Sequence, residues 1–216
     1  MKYIILEGIT GTGKSTMYKM LSKQLVECSG GNLIFLNEYI TFRTFEKLTN
    51  PHETSEKILK QIQSFFCWLE SIYFEAGLNE TTAGFAEQPR CLLESFHWNA
   101  YVRGLISKEV FECIENSLKG LGVKAVLLTL SENRIKDRSV VETRKYRTEG
   151  WTHYLKTLGS TDEEISAIFS SRQNELCQLY RESPLDKAII NTDEKQWEEY
   201  VKVILYDGDD NNNGTI

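Results

Sequence analysis

One stretch, Gly8-Ile9-Thr10-Gly11-Thr12-Gly13-Lys14-Ser15-Thr16, constrains this chain more than any other. It fits the spacing G-x-x-x-x-G-K-[ST] and follows an apolar run, Tyr3 to Leu6, so it reads as a buried strand, a glycine turn and the opening of a helix. Glycines at those positions let backbone N–H groups turn inward, and the helix N-terminus adds partial positive charge. Together they form a cradle for phosphate. Gly11, Thr12, Gly13, Lys14, Ser15 and Thr16 are therefore the expected nucleotide contacts. Lys14 would reach the β- and γ-phosphates, and Ser15 would ligate Mg2+.

The rest of the chain alternates strand and helix patterns. Leu33-Ile34-Phe35-Leu36, Cys91-Leu92-Leu93, Val123 to Leu130 and Lys187-Ala188-Ile189-Ile190 are the further strand runs. Helical spacing appears from Met17 to Leu25, from Ile58 to about Gly77 after an Asn50-Pro51 turn, from about Trp98 to Leu118, from about Asp162 to Tyr180, and from Trp197 to Leu205. Ser131 is placed to cap a helix carrying Arg134 and Arg138. Such alternation predicts an α/β fold, a parallel sheet covered on both faces, with ligand at the carboxyl ends of the strands. Glu38, Glu94 and Thr192, each ending a strand, should then converge on one cleft. Residues 1–206 read as a single domain, and the Asp- and Asn-rich segment 207–216 as a disordered tail.

Charge and cysteine usage narrow the function. A formal charge of −6 opposes a nucleic acid polymer or an anionic membrane as the main partner. No apolar run approaches membrane-spanning length, and the first strand begins after two residues, so a cytoplasmic location is expected. The five cysteines are scattered without C-x-x-C spacing, which argues against a zinc site or disulfide framework. Against this acidic background, residues 134–147 hold six basic side chains (134, 136, 138, 144, 145, 147) and two acidic ones. Guanidinium groups suit the charge that spreads over a phosphoryl group in transfer, and Arg134 and Arg138 are expected on one helix face.

With these residues in view, Ile5-Leu6-Glu7-Gly8 through Thr16 resembles the E-G-x-x-G-x-G-K-[ST]-T opening of the thymidylate kinase and deoxynucleoside kinase group of P-loop kinases. Glu132-Asn133-Arg134-Ile135-Lys136-Asp137-Arg138 is similar to that group's R-I-x-x-R entry to a lid. The resemblance implies the P-loop NTPase three-layer fold, a five-stranded parallel sheet ordered 2-3-1-4-5, an arginine-rich lid at about 134–150, ATP as donor and Mg2+ as cofactor. It implies adenine held partly by the loop after Ile190. It also implies Glu38 as base toward an acceptor hydroxyl, Glu94 as a second Mg2+ ligand, and Arg138, then Arg144 and Arg147, as catalytic arginines. After the third strand those kinases carry Asp-Arg or Glu-Arg-Ser, whereas this chain has Glu94-Ser95-Phe96-His97. Arg103 is the nearest substitute for the absent arginine, and His97 and Trp98 join it as expected acceptor contacts.

The expected function is ATP-dependent transfer of a γ-phosphoryl group to a small-molecule acceptor, a nucleoside or another hydroxyl compound. A thymidylate-like nucleoside monophosphate kinase is the alternative, and a non-catalytic nucleotide-binding protein is the second alternative. A GTPase switch fits poorly, because Leu130-Ser131-Glu132-Asn133 stands where N-K-x-D would follow the fourth strand. Beyond the acceptor, the sequence leaves a second copy of the chain open as partner.

Overall fold

The computed structural model describes residues 3–28, 33–41 and 90–206, and between them positions 56, 57, 60, 63, 64, 67, 68 and 71. Five strands form one parallel sheet: β1 (Tyr3–Gly8), β2 (Leu33–Leu36), β3 (Arg90–Glu94), β4 (Val123–Thr129) and β5 (Asp186–Asn191). Their order is β2-β3-β1-β4-β5, as expected. β1 and β4 are buried along their whole length, which is why they read as continuous apolar runs rather than alternating ones. Registers fix the site: Leu6 pairs with Glu94 and Gly8 with Leu128, so the glycine loop leaves the sheet beside the ends of β3 and β4.

Successive strand residues feed opposite layers, since side chains alternate across a sheet. Ile5, Leu93, Ala125 and Leu127 pack with Trp98, Ile114, Leu118, Phe169 and Leu176 on one face. Ile4, Leu6, Leu92, Val126 and Leu128 pack with Met17, Leu21, Leu25, Val201 and Ile204 on the other. Each such fully buried side chain contributes about 1.5–3 kcal/mol of transfer free energy.

The helices are α1 (Lys14–Cys28), α2 (Glu38–Thr41), α3 (His97–Val102), α4 (Lys108–Gly120), α5 (Glu132–Ile135), α6 (Glu142–Tyr146), α7 (Glu149–Leu158), α8 (Asp162–Glu182) and α9 (Trp197–Tyr206). The tract expected as one helix from Trp98 to Leu118 is two. Gly104 takes φ +69, and the Ser107 hydroxyl accepts from the Val110 N–H at 3.4 Å to start α4. Between α5 and α6 the chain stays helical but widens into a π turn over Lys136–Val141. Helix α8 opens with a reciprocal cap between Thr161 and Glu164. Gln173 on α8 grips the end of β4, donating to the Leu130 carbonyl at 2.7 Å and accepting from its N–H at 2.9 Å.

The Asn50-Pro51 turn, the apolar positions of the helix expected from Ile58 to Gly77 and the segment 207–216 lie outside the described residues. The eight described positions from 56 to 71 are all helical. All five cysteines are free, with Cys91 buried. Among the described residues no helix is long and apolar enough to cross a membrane.

Candidate active site

The glycine loop closes on itself through Lys14 and Thr12. The Lys14 Nζ donates to the Gly8 carbonyl at 2.7 Å and the Ile9 carbonyl at 2.9 Å, and the Thr12 hydroxyl donates to Ile9 at 2.9 Å. Burial pulls the Lys14 ammonium below its ordinary pKa. Glu38, Glu94 and Glu7 work against that shift, and Arg147 adds to it. These groups therefore share one electrostatic neighbourhood.

Ser15 and Glu94 meet at the carboxyl end of the sheet. The Ser15 hydroxyl donates to Glu94 Oε1 at 2.5 Å, and Thr41 on α2 donates to the Glu94 carbonyl at 2.8 Å. A hydroxyl and a carboxylate are hard oxygen donors. Two protein oxygens beside the glycine loop would suit Mg2+.

A cavity of about 660 Å³ opens above this pair. Its walls include Lys14, Ser15, Glu38 and Glu94 together with Arg103, Arg147, Arg172 and the rings of Tyr154, Trp151 and Phe169. Glu38 begins α2, whose start is fixed by the Asn37 side chain accepting from the Tyr39 N–H at 3.2 Å. Aromatic faces hold the guanidinium groups: Arg147 lies 4.3 Å from the Trp151 ring centroid and Arg103 5.9 Å from that of Tyr154. Arg172 donates to the Tyr154 hydroxyl at 3.1 Å. Arg172 lies in the middle of α8, where nothing in the local pattern separates it from a solvated helix face.

The arginines of the 134–147 cluster go to different places. Arg147 lines the cavity. Arg138 is 5% exposed and turns beneath the glycine loop, donating to the Gly11 carbonyl at 3.0 Å and to that of Thr192 at 3.4 Å. Arg144 pairs with Asp162 at 2.5 Å and does not line the cavity. Arg134 is exposed, whereas Arg138 four residues on is buried. Thr192 is buried and bonds back to the Thr129 carbonyl, outside the cavity wall.

His97 and Trp98 are corrected more sharply. Neither lines the cavity; both are buried against Glu115 of α4. His97 Nε2 shares a hydrogen bond with Glu115 Oε1 at 2.5 Å, the Trp98 indole donates to the same oxygen at 2.8 Å, and Ser183 donates to Oε2 at 2.6 Å. Burial would raise the Glu115 pKa, but these bonds outweigh it and hold the carboxyl below the usual range. The two rings thus satisfy a buried carboxylate, and the next residue, Asn99, reaches the cavity instead.

Glu7 was absent from the expected site and is fully buried. Its Oε1 accepts from the N–H groups of Phe96 at 2.9 Å and Trp98 at 3.1 Å, and its Oε2 accepts from the Asn99 side-chain amide. Burial pushes the Glu7 carboxyl above its ordinary pKa, while His97, these hydrogen bonds and Lys14 pull against the rise. Ser95, between Glu94 and this anchored segment, takes φ +54, a conformation costly for a non-glycine residue and held by its N–H bond to Leu6.

No protein-family model and no curated protein sequence matches the chain. Among solved structures it is similar to the YorR protein of Bacillus subtilis, determined in complex with phosphorylated GDP. The two are 19% identical with a TM-score of 0.55, over 95% of this chain and 94% of that one. A looser likeness is to thymidylate kinase from Ehrlichia chaffeensis, at 11% identity and a TM-score of 0.47, over 94% and 98% of the two chains. With its glycine loop, its Lys14–Ser15 pair and its parallel sheet ordered 2-3-1-4-5, the chain has a three-layer P-loop fold similar to that of the YorR protein.

Proposed function

We propose that the chain is an ATP-dependent phosphotransferase that moves the γ-phosphoryl group to a hydroxyl of a small acceptor, a nucleoside or a similar alcohol. One observation carries this reading: Glu38 lines the same cavity as Lys14, Ser15 and Glu94. Lys14 would bind the phosphate oxygens, and Ser15 and Glu94 would hold Mg2+, which neutralises charge on the β- and γ-phosphates when bound. Glu38 takes the proton as the acceptor oxygen bonds to the γ-phosphorus and the bond to the β-phosphate oxygen breaks, releasing ADP. Arg147 answers the charge on the moving group without depending on a protonation state.

Nucleoside monophosphate kinase is the second reading. It is favoured by the three arginines of the cavity, which suit an anionic acceptor that needs no base. ADP release from ATP and Mg2+ across nucleosides, their 5′-monophosphates, guanosine diphosphate and small alcohols separates the two. Turnover confined to phosphorylated acceptors favours the second reading, and a silent panel favours a non-catalytic nucleotide-binding protein.

A further inference from the structure

We infer that Arg138 and Ser139 are positioning residues for the glycine loop. From outside the cavity they hold two successive peptides of the loop with their N–H groups turned to receive a polyphosphate, the ligand that the phosphotransferase reading supplies. Arg138 then acts through the backbone of the loop and not by touching the phosphoryl group that moves.

The Ser139 hydroxyl donates to the Thr10 carbonyl at 2.6 Å, and Arg138 Nη2 donates to the Gly11 carbonyl at 3.0 Å. In a trans peptide the C=O and the following N–H lie in one plane and point opposite ways, and the described residues contain no cis peptide. Fixing these two carbonyls therefore turns the Gly11 N–H away from Ser139 and the Thr12 N–H away from Arg138. Among the described residues neither N–H has a protein acceptor. Two adjacent donors of this kind, next to Lys14 and the start of α1, suit the oxygens of a phosphate.

The clamp is part of the fold. Ser139 is fully buried, Arg138 nearly so, and neither lines the cavity. The guanidinium also donates to the Thr192 carbonyl after β5 at 3.4 Å, and its Nε lies 3.6 Å from the Glu142 carboxylate. It thus ties the loop to the end of β5 and to the segment that leads toward Arg147 in the cavity wall. A loop held in this shape takes a ligand without first turning its peptides. A loop that visits the shape only part of the time binds more weakly by that fraction.

Inorganic tripolyphosphate is the probe, because it offers phosphates without a base or an acceptor. In titration calorimetry Ser139→Ala is expected to raise its Kd at least about threefold and Arg138→Met at least about tenfold, as neutral and charged hydrogen bonds differ. In the free protein, residual dipolar couplings of the Gly11 and Thr12 N–H vectors should fit one orientation in the wild type and shrink in both variants. A fall in Tm with wild-type affinity and couplings would make both residues structural only and overturn the inference. Weaker binding by Arg138→Met beside unchanged binding by Ser139→Ala would also overturn it, since charge and not loop shape would then hold the phosphate. If Arg138→Met does not fold, Ser139→Ala decides alone. A wild-type chain that does not take up tripolyphosphate overturns the polyphosphate reading of the loop, while the couplings still decide whether the two side chains hold its peptides.

Discussion

Gly11→Ala should weaken the fold through a contact between the glycine loop and the arginine-rich segment. Gly11 has φ +89, where an L-residue costs about 1–2 kcal/mol. A Cβ there would also lie 2.6 Å from the Arg138 carbonyl oxygen and 2.9 Å from the Ser139 Cα. Those atoms are backbone and cannot swing away, so overpacking adds about 1–3 kcal/mol. Reduced freedom of the unfolded chain returns about 0.4–1 kcal/mol, leaving a net loss of about 3 kcal/mol. For a chain of this size that is a fall in Tm of about 6–12 °C. Gly104→Ala is the control, because Gly104 has φ +69 but nothing within 4 Å of the added carbon. It carries the conformational cost alone and should lose about 2–4 °C. Calorimetry on both variants isolates the steric part. A Gly11→Ala fall no larger than that of Gly104→Ala would refute the close approach of the loop to Arg138 and Ser139.

Lys14→Ala should nearly abolish ADP release while circular dichroism stays native, with a modest stability loss from its bonds to Gly8 and Ile9. Glu38→Gln should lower kcat at least about a hundredfold with a hydroxyl acceptor and leave it nearly unchanged with a monophosphate, read by single-turnover kinetics. Residues 134–150 should gain hydrogen-exchange protection when ATP and acceptor bind together, as a closing lid would. The folded Glu7 carboxyl holds its proton more tightly than the ordinary value of 4.5, so its contribution to stability falls as pH rises from there toward its folded value. Urea midpoints across that range should show the slope in the wild type and lose that part of it in Glu7→Gln.

The glycine loop was legible because it is one contiguous motif, the sheet order because the family resemblance implied it, and the meeting of Ser15 with Glu94, 79 residues away, because both stand at the carboxyl ends of neighbouring strands. What escaped depends on partners distant in sequence. Nothing near His97 announces that Glu115, 18 residues on, will bond to its ring, so the expected acceptor contact gives way to a buried pair. Glu7 enters the sequence reading only as part of the motif, and its partners Phe96, Trp98 and Asn99 lie 89 to 92 residues further on. Arg134 stays exposed while Arg138 is buried, because the partners of Arg138, the carbonyls of Gly11 and Thr192, come from parts of the chain far from it in sequence.

The place of β1 in the sheet has a consequence for how the protein is made. Tyr3 pairs with Cys91 on one side and Val123 on the other, so the strand leaves the ribosome well before either neighbour exists. At typical elongation rates it waits on the order of ten seconds. Through that interval Ile4, Ile5 and Leu6 have no sheet to enter, and the glycine loop has no rim against which to take its shape. A nucleotide bound as proposed would therefore reward only a finished sheet, not help to nucleate one. Nascent chains should become resistant to proteolysis abruptly, after β4 has emerged, rather than by stages.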